Sequence, residues 1–317
     1  MRCNMDLSVT LKGIQFNTPV AMASGNAGYG LEYPRISGFS YEDVGAVFLK
    51  GTTLAPKKGN KPERVQESPC GLLNAVGLEN PGVAVVVNEL LPQLDWAATR
   101  YIANVSGSTL EEYAEVTRHF EDTPVAAIEV NISCPNVKQG GAAFGNDPEM
   151  AARVTEVCRQ ATSKPLIVKL SPNQTDIAES ARRVIDAGAD MLSAINTLMG
   201  MSIDIHSRRP TLGNNQGGLS GPAIKPVALL KVHQVYQVAR QYDVPVIGLG
   251  GITTAEDAIE FFLAGASMVA VGTALAKDPL IISKITRGIA RYLTRNGLQS
   301  VQELTGRLAL NTDTLLC

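Results

Sequence analysis

Short apolar runs rich in β-branched residues recur along this chain, and each is followed by a stretch whose apolar residues have helical spacing. Such alternation marks parallel βαβ units, because parallel strands need a crossover long enough to carry a helix. The runs fall at 19–23, 45–50, 101–105, 126–131, 165–170, 190–196, 244–249 and 267–271. Their near-continuous apolar character implies burial on both faces. Eight strands alternating with eight helices predict a closed α/β structure, a (β/α)8 TIM barrel. It is expected to be one domain over residues 1–317, with an N-terminal β extension and long βα loops over the C-terminal face. An open doubly wound sheet is the fallback.

Local signals place the helices. Ser108 is a candidate cap for a helix over 108–121, with Glu111 three residues on as a capping box. Asp147-Pro148 opens another with proline at the first helical position, and a helix over 175–187 is expected to stop at Gly188. The connections 52–78 and 197–219 are too long for simple turns and are expected to be lids or binding loops.

Composition narrows the partners. Lys+Arg 28 against Asp+Glu 30 leaves no field to attract nucleic acid, and no apolar run is long enough to span a membrane. Residues 1–13 carry Arg2, Asp6 and Lys12 and do not read as a signal peptide, so a reducing cytoplasm is expected. Cys3, Cys70, Cys134, Cys158 and Cys317 lack the close spacing of zinc or iron-sulfur ligands, and no metal site is expected in this chain.

In a barrel of this kind the chemistry lies at the C-terminal ends of the strands. Ser24, Lys50, Asn104, Asn131, Lys169, Asn196, Gly250-Gly251 and Gly272-Thr273 fall there, two lysines and three asparagines with almost no acids. A buried ammonium is costly without an anion, and neither lysine has an Asp or Glu in its own strand, so a ligand is the expected counter-charge; a salt bridge to a distant carboxylate is the alternative. The glycine turns that end the seventh and eighth runs suit a phosphate, or are bare turns. No G-x-G-x-x-G occurs, which argues against a dinucleotide fold. A lone cysteine is usually buried filler, but Cys134 sits in the polar, glycine-rich segment 131–141. A thiol of pKa about 8.5 can act as a base without a histidine. His119 and His233 fall in expected helices, whereas His206 lies in a long loop and could approach the site.

Eight segments in barrel order carry a resemblance: Phe48-Leu-Lys50-Gly-Thr-Thr, Leu73-Asn-Ala-Val-Gly-Leu78, Ile102-Ala-Asn104-Val-Ser-Gly, Asn131-Ile-Ser-Cys134-Pro-Asn136, Val168-Lys169-Leu-Ser-Pro, Ile195-Asn196-Thr197, Gly217-Gly-Leu-Ser-Gly221-Pro and Gly248-Leu-Gly-Gly251. Over essentially its whole length the sequence resembles the class 1 dihydroorotate dehydrogenases, which oxidise dihydroorotate to orotate in pyrimidine synthesis. The resemblance implies one FMN per chain, with Cys134 as the base for the C5 proton and the flavin taking the C6 hydride. Lys169 would lie against the flavin N1/O2 edge, and Lys50 would meet both flavin and the substrate carboxylate. Asn74, Ala75, Val76, Gly77, Leu78, Asn131, Asn196 and Thr197 would hold the substrate. Ser24, Gly51, Asn104, Asn131, Ile195 and Gly221 would join the lysines on the flavin, leaving the phosphate to Gly250, Gly251, Gly272 and Thr273.

Cysteine at the base position separates the sequence from the membrane-associated class, which has serine there. The loop 138–145 resembles the NAD-coupled branch. That branch implies a homodimeric core joined to a subunit carrying FAD and a 2Fe-2S cluster, a heterotetramer. The fumarate-dependent homodimers are the alternative branch. Dihydropyrimidine dehydrogenase has histidine where this chain has Asn136. Two readings from other classes are a flavin-free phosphate-binding isomerase or lyase, which does not explain Lys169 together with Cys134, and a catalytically silent electron-transfer or scaffold subunit, which is disfavoured because every position the family mechanism requires is filled.

Overall fold

Continuous apolar runs fold as the alternation requires. The computed structural model describes residues 5–132 and 145–311; Cys134 and the rest of its loop, with Cys3 and Cys317, lie outside them. Eight strands form a closed, wholly parallel barrel in chain order: β1 (Val20–Met22), β2 (Ala46–Phe48), β3 (Arg100–Val105), β4 (Ala127–Asn131), β5 (Leu166–Leu170), β6 (Met191–Ala194), β7 (Val246–Leu249) and β8 (Met268–Val271). Closure comes from β8 pairing with β1, Ala270 opposite Ala21. Seven lie within their expected runs, β3 begins one residue before its own, at Arg100, and the open sheet is excluded. β2, β4, β5, β6, β7 and β8 are buried at every position, the two-faced burial that a barrel wrapped in helices imposes.

Six longer helices, α1 (Leu110–His119), α2 (Pro148–Ala161), α3 (Ile177–Asp186), α4 (Lys225–Ala239), α5 (Ala255–Ala264) and α6 (Ile281–Arg295), cover the strands. The expectation of eight regular crossover helices is corrected in the first two units. After β1 the chain makes only short helical turns at Ser24–Ala27, Tyr33–Arg35 and Tyr41–Asp43, because Gly28 and Gly30 adopt positive φ (58° and 78°) and break any longer helix. After β2, mixed turns over 83–93 replace a regular helix.

One cap also shifts by one residue. Thr109, not Ser108, caps α1 by accepting from the Glu112 N–H at 3.2 Å, while the Glu112 carboxylate reaches back to the Ser108 N–H at 2.6 Å. Of the two overlapping S/T-x-x-E frames, only the later one is used, and it buries Tyr113 and Val116. Asp176 caps α3, which starts at Ile177, two residues inside the expected 175–187. The Asp147-Pro148 start of α2 is found as expected, and Gly188 follows α3 at φ 103°.

The N-terminal extension is a hairpin, Val9–Leu11 with Ile14–Phe16, tied to the start of β3 by Arg100 donating to the Gln15 carbonyl at 3.0 Å. The two long connections have structure of their own. Val65–Ser68, Gly71–Asn74, Gly217–Ser220 and Leu198–Gly200 form one antiparallel sheet joining the excursions after β2 and β6, with Asn74 opposite Gly218.

Candidate active site

Where the strands end, a cleft of about 290 Å3 opens beneath that sheet, near the few hundred Å3 typical of small-molecule sites. Strand ends supply Ser24, Lys50, Gly51, Asn104, Asn131, Lys169, Ile195, Asn196, Thr197, Gly250, Gly251, Gly272 and Thr273 to its walls; the long connections add Asn74, Val76, Gly77, Leu78 and Gly221. Ala75 does not line it. That residue is fully buried in a small cluster with Leu73 and Leu212 on the side of the sheet away from the cleft, and its backbone N–H and C=O bond Arg64 and Asn60. Cys134 lies outside the described residues. His206 is exposed in the second long connection and is not a wall residue, while His119 and His233 sit on α1 and α4.

Each wall residue is held by its neighbours. The Lys50 N–H donates to the Gly28 carbonyl at 2.7 Å, and the Thr52 hydroxyl to the Lys50 carbonyl at 3.0 Å, fixing the end of β2. Asn131 is anchored by the Tyr113 hydroxyl donating to its carbonyl at 2.8 Å, and its amide oxygen lies 3.4 Å from Asn196 Nδ2. The Asn196 amide oxygen accepts from the Thr197 N–H at 2.8 Å, and Asn173 brackets Thr197 by donating to its carbonyl at 2.9 Å. Asn74 reaches across the sheet to the Gly218 carbonyl at 3.2 Å. One row of amides thus spans the ends of β4 and β6.

Lys169 has a protein counter-charge, contrary to the expectation of a ligand alone. Its own strand has no acid, but Glu129 on adjacent β4 is 3.8 Å from Lys169 Nζ, and both are almost wholly buried. Parallel register pairs Asn131 with Lys169, and the period of two puts Glu129 on the same inward face as Asn131, one pleat deeper. Glu129 also accepts from the Ser193 hydroxyl at 2.7 Å and from the Asn104 amide. It was missed as a site residue. A lone carboxylate inside an otherwise apolar strand was the available signal. Lys50 is different: none of the ion pairs among the described residues includes it.

At the glycine end, Gly250 and Gly251 adopt φ 130° and 83°, and a Cβ on Gly251 would sit 2.8 Å from Lys225 Cβ. Asp257 braces the following turn, its carboxylate accepting from the N–H groups of Thr253 and Thr254 at 2.8 and 2.9 Å and from Lys225 Nζ at 2.7 Å. Burial pushes its pKa up, but the Lys225 bond and these hydrogen bonds outweigh that and hold the carboxyl below its ordinary value. Among the described residues no cluster of His, Cys, Asp and Glu could hold a metal ion.

The model of the family described as Dihydroorotate dehydrogenase matches residues 6–293. The chain belongs to the dihydroorotate dehydrogenase family. Its relatives include proteins of Geotalea uraniireducens (52% identical over 304 residues, 96% of this chain and 98% of the relative), Geobacter sulfurreducens (51% over 304 residues, 96% and 98%) and Desulforamulus reducens (49% over 304 residues, 95% and 98%). Each of the three is named "Dihydroorotate dehydrogenase B (NAD(+)), catalytic subunit". As a dihydroorotate dehydrogenase the chain is an oxidoreductase, and the resemblance read from its motifs is borne out. No helix among the described residues of this family member is long and apolar enough to cross a membrane.

Proposed function

We propose that this chain is the FMN-binding catalytic subunit of an NAD-coupled dihydroorotate dehydrogenase, oxidising dihydroorotate to orotate for pyrimidine synthesis. The observation that carries the reading is the convergence of Lys50, Lys169 and the amides of Asn74, Asn131 and Asn196 on one cleft beside the glycine turns of β7 and β8. Carboxamides offer donors and acceptors together, as the ring amides of a pyrimidine require. Lys50, outside every described ion pair, is the cation for the substrate carboxylate.

Fit to FMN rests on features of this cleft. The wall residue Asn104 has its Oδ1 buried without a hydrogen-bond partner among the described residues, and a Cβ on Gly51 would come within 3.0 Å of that oxygen. Buried acceptors of this kind call for a ligand donor. Ser24, Gly51, Asn104, Asn131, Ile195 and Gly221 would flank the ring and ribityl chain, and Gly250, Gly251, Gly272 and Thr273 the phosphate. When bound, FMN supplies a two-electron acceptor for hydride. Lys169 stands where its cation would favour the negative charge that develops on reduction. Cys134, three residues beyond β4, takes the C5 proton, because a thiol is partly ionised near neutral pH.

The relatives' name, catalytic subunit of an NAD(+) enzyme, supports a separate partner subunit; a partner carrying FAD and a 2Fe-2S cluster, a homodimeric core and a cytoplasmic location are what the resemblance to the NAD-coupled branch implies. We take residues 1–317 as one domain. The test is anaerobic mixing of the FMN-loaded chain with dihydroorotate while flavin absorbance is followed, then addition of NAD+ or fumarate. Bleaching that neither acceptor reverses, until an FAD/iron-sulfur subunit is supplied with NAD+, is the expected result. Recovery with fumarate alone overturns the NAD-coupled branch, and absence of bleaching overturns the activity.

A further inference from the structure

The function proposed above leaves one buried carboxylate without a task. Glu129 Oε1 accepts from the Ser193 hydroxyl at 2.7 Å, and its Oε2 accepts from Asn104 Nδ2 and lies 3.8 Å from Lys169 Nζ. Side chains from four consecutive strands, β3 to β6, therefore meet on one carboxylate inside the barrel. An ionised carboxylate can only accept, so Asn104 must turn its Nδ2 toward Glu129 and its oxygen away. That oxygen is the buried acceptor near Gly51, with no partner among the described residues. Glu129 thus decides which end of the Asn104 amide meets a ligand and how much of the Lys169 charge a ligand feels.

We propose that Glu129 is a positioning residue that lowers the reduction potential of the bound flavin, by offsetting Lys169 and by holding Asn104 as an acceptor. This rests on FMN occupying the cleft. Lys169 alone favours the reduced cofactor; a buried anion beside it opposes that preference, and in a low-dielectric interior the opposition is strong. An enzyme that must pass electrons onward to nicotinamide, itself a strong reductant once reduced, is served by a flavin that does not hold them too tightly.

The test begins with the wild-type holoprotein: absence of bound FMN, or of anaerobic bleaching by dihydroorotate, sinks the function proposed above and not the role of Glu129. With those in hand, the FMN midpoint potential is measured against redox dyes in the wild type, Glu129→Gln, Glu129→Asp and Ser193→Ala. Glu129→Gln is expected to raise it by about 30 mV, equivalent to about tenfold tighter relative binding of the reduced flavin. Glu129→Asp keeps the charge and should restore most of the wild-type value. Ser193→Ala removes only a neutral hydrogen bond and should move it far less. An unchanged or lowered potential in Glu129→Gln, or an equal shift in Ser193→Ala, overturns the proposal. If Glu129→Gln does not retain FMN, Glu129→Asp decides: FMN retained near the wild-type potential supports the role of the charge, and an equally empty Asp variant overturns it.

Discussion

Cys158 and Cys134 carry the same thiol, but surroundings divide their chemistry. Burial in α2 pushes the Cys158 thiol up to about 12, which removes it as a base near neutral pH. Cys134 follows Asn131 on a polar segment and is the proposed base. Cys134→Ser should slow anaerobic flavin reduction by about 10²-fold or more while FMN stays bound, since a hydroxyl is a far weaker base; stopped-flow absorbance measures this, and an unchanged rate removes Cys134 from the mechanism. A second residue works through contact alone. A Cβ on Gly218 would stand 2.0 Å from Thr197 Oγ1, so Gly218→Ala must displace Thr197. We expect KM for dihydroorotate to rise about tenfold, the equivalent of one lost hydrogen bond, with FMN content unchanged. Loss of FMN with unaltered KM would place Thr197 on the cofactor instead.

Among the elements, strands were legible and loops were not. An apolar run reports its own burial, whereas the pairing of Asn74 with Gly218 depends on two segments far apart in sequence, neither of which carries the other's register. The turn after α2 depends on distance in the same way. Glu121, just beyond α1, accepts from the Ser163 N–H and hydroxyl and from Thr162, and these bonds hold its carboxyl at about 2, below the ordinary 4.5. A depressed folded pKa contributes stability that is complete above the unfolded value and is lost as pH falls through the folded one. Glu121→Gln should therefore melt below the wild type at neutral pH, with the gap closing between about pH 4.5 and about 2. A constant gap across thermal melts in that window would assign the effect to packing.

For the whole molecule, closure of the barrel gathers strand ends from Ser24 to Thr273 onto one face, so the proposed FMN, filling the cleft, would touch nearly every βα unit. Such a ligand binds the folded chain and not the unfolded one. Stripping FMN should lower the calorimetric melting temperature, and free FMN at about a hundredfold excess over Kd should restore about 2.7 kcal/mol of stability. A melting temperature indifferent to added FMN would count against the cofactor site. The small net charge of −2 leaves no broad field to attract a polyanion.

Closure over an open sheet was decided only by the pairing of β8 with β1. By itself the sequence determined the eight strands and their order, because apolar periodicity is local, and its family motifs pointed to much of the wall, because strand ends in this fold share one face. It could not register the carboxylate under Lys169. The claim that no acid was at hand held within each strand and failed across the β4–β5 pair, where parallel register brings Glu129 to 3.8 Å. Nor could it orient Ala75, which turns into the cluster on the far side of the sheet while Asn74 and Val76 on either side face the cleft. Contacts between neighbouring strands and between distant loops exist only once the barrel has closed, and the charge balance and amide orientation of the site are set there.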